Sequence, residues 1–192
     1  MGDELPGSDG EHALQERFET KERALRFYED SMHEELNEVM QRFIGERILF
    51  FLATADANGH TDCSPRLGPR GFVTVLDEKT LAYPEYRGNG VHASLGNIEE
   101  NPYASLTFVD WWDTTVGLHV NGPATLHDEL SGAVDPSGTD RQKVWVKVDV
   151  EEAYIHCAKH LPQLSIEEFD PPWGTDDEGA KRTDFFDDEN KL

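Results

Sequence analysis

Cysteine, positive charge and long apolar runs are all scarce in this chain. Its 192 residues include two cysteines, Cys63 and Cys157, too few for a disulfide framework. Lys and Arg number 17 against 39 Asp and Glu, a formal charge of -22 at pH 7. That balance excludes a general affinity for nucleic acid or an anionic membrane surface, both of which depend on clustered basic side chains. No apolar run approaches the roughly 20 residues a membrane helix needs. The opening "MGDELPGSDGEH" has no basic segment followed by an apolar one, so no secretory signal is read and the expected location is cytoplasmic. The acidic excess resembles that of a halophilic protein, whose self-repulsion is screened in a salt-rich cytoplasm; otherwise it serves solubility alone.

What is present suggests one domain with appendages. Residues 1–11 read as a flexible acidic lead, 12–45 as a helical segment, 46–161 as the main domain and 162–192 as an acidic tail. Within the helical segment, Ser31-Met32-His33-Glu34 fits a capping box. Leu36, Val39, Met40, Phe43 and Ile44 then fall on one stripe, to be laid on the core or on a partner chain. From Arg47 the period changes to that of strands. "RILFFLATA" and "HTDCSPRLG" flank the turn Asp56-Ala57-Asn58-Gly59, and "GFVTVLD" and "TLAYPEY" form a second hairpin. A short helix ends near Asn101-Pro102, and "YASLTFVDWW" with "VGLHVNGPATLHDE" makes a third pair. Residues 131–139 read as a loop, and "KVWVKVDVEEAYIHC" as one half-buried strand. About six strands with one crossover helix predict a small, mostly antiparallel barrel flanked by helices.

Four stretches contain no Asp or Glu: Cys63 to Leu76, Tyr86 to Ile98, Thr114 to His127, and Ala153 to Ile166. An arginine without a carboxylate beside it is free to bind another anion, and its fork matches phosphate. Arg66 and Arg70 occupy the first stretch and Arg87 the second, where Arg87-Gly88-Asn89-Gly90 joins a strand to a helix. Helix-start N–H groups and a glycine-permitted close approach suit such a turn to phosphate. The same turn also reads as a plain loop, with Arg87 paired to an acid elsewhere. His156, Cys157 and His160 lie close together in sequence, but a zinc site wants a further paired cluster, so no metal is expected. Cys157 reads either as a small buried strand residue or as a thiol activated by a nearby cation.

The ordered set running from "ATADANGHTDCSPRLGPRGF" through "YPEYRGNGVHASLGNIEENPYASLTFVD" to "GLHVNGPA" and "VEEAYIHCAKH" resembles the pyridoxamine 5'-phosphate oxidase-like family. The likeness spans roughly Phe43 to Leu161 and is closest to a branch of FMN-dependent proteins distinct from the true pyridoxamine-phosphate oxidases. It implies a six-stranded antiparallel split β-barrel of the FMN-binding type, forming a homodimer with the cofactor at the subunit interface and a small-molecule substrate. It also implies an FMN-dependent oxidoreductase. The alternatives on this fold are a haem- or flavin-binding protein without turnover, with His156 or His160 as an axial ligand, and an F420-dependent reductase. By resemblance, Ser64 and Arg66 face the flavin phosphate, and Arg87, Asn89 and Gly90 form its second holding segment. Arg70 is a weaker candidate, Asn121 lies on a strand near the flavin or forms a turn with Gly122, and Lys159 or His160 approaches flavin or substrate. Trp111 and Trp112 cover the cofactor, build the dimer interface or fill the core. The Arg-Leu-x-Asp-Arg segment by which true pyridoxamine-phosphate oxidases grip their substrate is missing, which argues against vitamin B6 oxidation.

Overall fold

The computed structural model describes residues 5–138, 142–166 and 177. Helix starts before the apolar pattern reveals it: α1 (Asp9–Arg17) is capped by Ser8, whose hydroxyl accepts from the Glu11 amide. Helix α2 (Lys21–Ser31) follows. The expected capping box does not form, because Ser31 closes α2 and Met32–His33 (β1) hydrogen-bonds instead along Ala153 and Tyr154. Asn37 caps the next helix, α3 (Glu38–Gly45), its side chain accepting from the amides of Val39 and Met40. The apolar stripe divides accordingly. Leu36 and Ile44 are buried, Met40 and Phe43 pack partly on the core, and Val39 is exposed.

Next come β2 (Leu49–Ala55), β3 (Thr61–Leu67), β4 (Thr74–Asp77), β5 (Thr80–Tyr86), α4 (Ala93–Glu100), β6 (Tyr103–Val109), β7 (Gly117–His127), β8 (Gln142–Asp149) and β9 (Glu152–His156). The first hairpin turns as expected, with the Asp56 carboxylate accepting from the amides of Asn58 and His60 and Gly59 at φ +82°. Among the described residues there are nine strands rather than six, all paired antiparallel. The ladder runs β3-β2-β6-β7-β8-β5-β4, with β9 added on β7 and β1 on β9.

The extra strands have a physical origin in β7. Its first half pairs with β9, from Gly117↔His156 to Asn121↔Glu152, and its second half with β8, from Ala124↔Val148 to His127↔Trp145. The segment expected as a single strand therefore breaks at Val150-Glu151, and the break lies against Gly122. A Cβ built on Gly122 would collide with the carbonyl oxygen of Asp149. Asn121-Gly122 is thus the interior of a strand, not a turn.

Among the described residues, the outer strands β3 and β4 each have a single partner, so the sheet is not closed by hydrogen bonds. It nevertheless curls until Arg66 of β3 meets Glu85 of β5 at 2.7 Å, five places along the ladder. This is the split of a split barrel. Inside it, Phe50, Phe72, Tyr83 and Phe108 form an aromatic centre.

A buried ion pair fastens one end of the barrel. Arg47 Nη1 lies 3.0 Å from Asp110 Oδ1, tying the approach to β2 to the turn after β6. Burial alone would raise the Asp110 pKa. Hydrogen bonds from the Thr114 amide and hydroxyl and the amides of Asp113 and Trp112 outweigh it and hold the carboxyl well below its usual range. A carboxylate depressed in the folded state contributes stability above its unfolded pKa of about 4 and loses it as pH falls through the folded value. Thermal melts from pH 7 down to pH 2 should show the midpoint dropping below about pH 4, and Asp110→Asn should remove part of that drop.

Candidate functional site

Strand β3 sets the site by its period of two. Asp62, Ser64 and Arg66 face inward and are half-buried, whereas Thr61, Cys63, Pro65 and Leu67 are exposed. Proline is tolerated here because β3 is an edge strand. The three inward residues pair in register with Thr54, Leu52 and Phe50 of β2, so the barrel interior changes from apolar to polar across one pair of strands. Opposite, β5 delivers Glu85 and Tyr86, and the chain then turns through residues 87–92 into α4. Gly90 takes φ +83°, and the Asn89 side chain accepts from the Val91 amide at 3.0 Å. His92 begins α4 in the left-handed region (φ 57°, ψ 33°) with no side-chain cap bond, and the first turn holds no acid. Asn97 of α4 donates to Thr54 Oγ1 at 3.0 Å, fixing the helix on β2.

Between β3 and the start of α4 lies a cleft of about 280 Å³, reached by Asp62, Ser64, Arg66, Glu85, residues 88–92 and the first turn of α4. A recess of about 410 Å³ beside it is lined by Arg87, Gly88, Asn89, Gly90 and His92. One polar chain crosses the cleft. Arg66 donates through Nε to Glu85 and through Nη1 to Ser64 Oγ, each at 2.7 Å, and the buried Ser94 donates to Asp62 at 2.8 Å. Ser64 Oγ stands 3.4 Å from Asp62 Oδ2 and 3.5 Å from Ser94 Oγ, which joins the two halves. Burial raises the Glu85 pKa, opposed by the charge and hydrogen bond of Arg66 and by the charge of His92.

Ser64, Arg66, Asn89 and Gly90 therefore meet at one cleft, with Arg87 on the adjoining rim. The expectation that Arg66 stands clear of carboxylates is corrected. Glu85 comes to it across the split, a proximity that a count of acids along the chain cannot register. Arg87 is likewise engaged within the chain. Asn121 and Lys159 do not line the cleft. Asn121 accepts from Ser105 Oγ at 2.7 Å and donates to Glu152 at 3.2 Å, and Lys159 is exposed in a single 3-10 turn, Ala158–His160. Arg70 lines a separate cavity of about 220 Å³ with Arg47, Asp110 and Trp112. His156 Nδ1 lies 2.9 Å from His119 Nε2, and Cys157 is exposed rather than buried. Among the described residues, no three His, Cys, Asp or Glu side chains gather as a metal site, and no helix is long and apolar enough to cross a membrane. The acidic tail lies mostly outside the described residues. Its start is held on the β6–β7 turn, Gln163 donating to the Trp112 carbonyl and the Leu164 amide to that of Trp111.

Asp62, Glu85 and Ser94 were missed by sequence reasoning. Asp62 was within reach, since a strand that turns Ser64 and Arg66 to one face must turn Asp62 there too. Ser94 carried a weaker signal, lying in the first turn of the helix that follows Arg87-Gly88-Asn89-Gly90.

An open antiparallel split barrel with a polar cleft at a strand-to-helix turn defines the class of the protein. Residues 36–157 match the family model of pyridoxamine 5'-phosphate oxidase, and the chain belongs to that family. No curated protein matches the sequence. Among solved structures it is similar to HupZ of Group A Streptococcus; a histidine-to-alanine variant of that protein is 24% identical with a TM-score of 0.51, covering 63% of this chain and 99% of that one. It is also similar to HutZ, described as the haem storage protein of Vibrio cholerae (17% identity, TM-score 0.44, 63% and 93% covered). A third similar structure is an F420 reductase (16% identity, TM-score 0.44, 62% and 98% covered).

Proposed function

We propose that this protein is an FMN-binding flavoprotein, an oxidoreductase acting on a small molecule as a homodimer. The observation that carries the reading is the meeting of Ser64, Arg66 and the Arg87–Gly90 turn beside an uncapped helix start. The donor set suits this cofactor at both parts of its tail. Guanidinium, hydroxyl and helix-start N–H groups suit a phosphate, while the Asp62 and Glu85 carboxylates suit the hydroxyls of a ribityl chain. In this reading Arg66, Ser64, Arg87, Asn89 and the Gly90 backbone hold the tail, and Asn121 and Lys159 contribute from the second copy. FMN, when bound, supplies electron-transfer chemistry that no side chain offers; the protein supplies anchoring, orientation and the cleft.

The test is the absorbance spectrum of the protein as purified and after incubation with FMN. A flavin spectrum that stays with the protein through gel filtration is expected. A colourless protein that retains no FMN overturns the reading, a Soret band replaces it with haem, and stronger retention of F420 than of FMN in competition replaces it with the deazaflavin.

The charge of -22 supports a second part of the proposal, a cytoplasmic setting rich in salt. Screening of self-repulsion at molar ionic strength should raise the thermal midpoint by on the order of 5–10 °C between about 0.05 and 1 M KCl. A flat or falling curve removes the halophilic reading and leaves the cofactor proposal untouched.

A further inference from the structure

We propose that phosphate binding in the cleft is coupled to proton uptake by Glu85, which competes with the ligand for Arg66 and releases it when neutralised. This rests on the FMN reading above and adds the control of that site.

The geometry makes the competition direct. Arg66 spends Nε on Glu85 and Nη1 on Ser64, both at 2.7 Å. The paired side chains keep only 17% and 15% of their exposure, so water screens little of the contact. A phosphate approaching the same guanidinium meets Glu85 within a hydrogen-bond length of its own anchor. Two anions sharing one cation cannot both keep full charge cheaply, so binding draws a proton onto one of them. Burial moves Glu85 toward its neutral form while the helix-start N–H groups favour the charged phosphate, which directs that proton to Glu85.

Among the described residues, the groups facing Glu85 are few. Arg66 comes from β3, with Asp62 on the same strand lining the same cleft, and His92 comes from the turn before α4. Tyr83, on its own strand, is wholly buried and protonated. The β8 residue opposite Glu85 is Val144, which does not titrate. One other titration overlaps, ionisation of the ligand phosphate near pH 6, and it runs the other way. The wild-type pH curve alone therefore does not isolate Glu85, but the difference on replacing it does.

The experiment titrates full-length protein with FMN from pH 5 to 8.5, following flavin fluorescence, for wild type, Glu85→Gln and His92→Gln. Riboflavin, which lacks the phosphate, is the neutral probe. Calorimetry of wild type in two buffers of different ionisation enthalpy counts protons without any variant, so a poorly folded Glu85→Gln leaves the question answerable. Expected are uptake of close to one proton at pH 7.5, and Glu85→Gln binding FMN about 10- to 100-fold tighter than wild type at pH 8. That gap should narrow toward pH 5, with riboflavin affinity little changed throughout. FMN binding with no proton uptake, or weakened by Glu85→Gln, overturns the proposal and makes Glu85 a holder of Arg66 instead. Failure of every form to bind FMN or riboflavin at any pH overturns the cofactor reading itself, and the coupling with it.

Discussion

Replacing Arg66 and Arg87 together with alanine is expected to weaken FMN binding by about two to four orders of magnitude. Charge-assisted hydrogen bonds contribute about 1.5–3 kcal/mol each, and tenfold in affinity corresponds to about 1.4 kcal/mol. The two single variants should differ in kind. Arg66 serves Glu85 as well as the ligand, so Arg66→Ala removes the charge that opposes burial at Glu85 and leaves that carboxyl more readily neutral. Wild type must neutralise Glu85 to take FMN at high pH and the variant does so at less cost, so its penalty should narrow from pH 5 to pH 8. Arg87 stands on the exposed rim, and Arg87→Ala should show less of this dependence. Riboflavin separates phosphate anchoring from a general loosening of the cleft, since it should lose little in either variant. A double variant that loses less than tenfold for FMN would mean that the phosphate is held elsewhere.

Much of the barrel could be read from the sequence because its hairpins are local. Alternation in Leu49–Ala55 and the Asp56 to Gly59 turn are properties of adjacent residues, and so is the strand-to-helix change after Tyr86. The break at Val150-Glu151 was not readable. No glycine or proline marks it, and its cause is the approach of Gly122 from another strand. The failed capping box has a similar origin, since Ser31-Met32-His33-Glu34 satisfies the local rule but β9 captures the backbone of Met32 and His33. The site divides along the same line. Ser64, Arg66, Asn89 and Gly90 stand out as features of short segments, and the fold brings them to one cleft. Glu85 as the partner of Arg66 depends on the curl of a seven-strand path, and nothing near either residue announces it.

The same curl gives the largest expected effect on stability, at Phe50. Its side chain is fully buried, 5.8 Å from Phe72 in a stack, 4.9 Å edge-on from Tyr83 and 5.2 Å from Phe108. These rings come from β2, the β3–β4 connection, β5 and β6, so their contact holds the split sheet in its curled form. Phe50→Ala removes the shared member and leaves a cavity that rigid strands cannot fill, at a cost of about 3–5 kcal/mol. Against a typical total of about 5–15 kcal/mol, the thermal midpoint should fall by roughly 6–20 °C. The site should feel it too, because Phe50 is the register partner of Arg66, and Tyr83 lies two residues before Glu85 on β5. Tyr83→Phe is the informative contrast. Among the described residues the buried Tyr83 hydroxyl has no hydrogen-bond partner, so deleting it removes an unsatisfied group and should leave the midpoint unchanged or slightly raised. If Phe50→Ala melts within about 2 °C of wild type, less than a single kcal/mol is at stake. The aromatic centre is then not what brings Arg66 to Glu85.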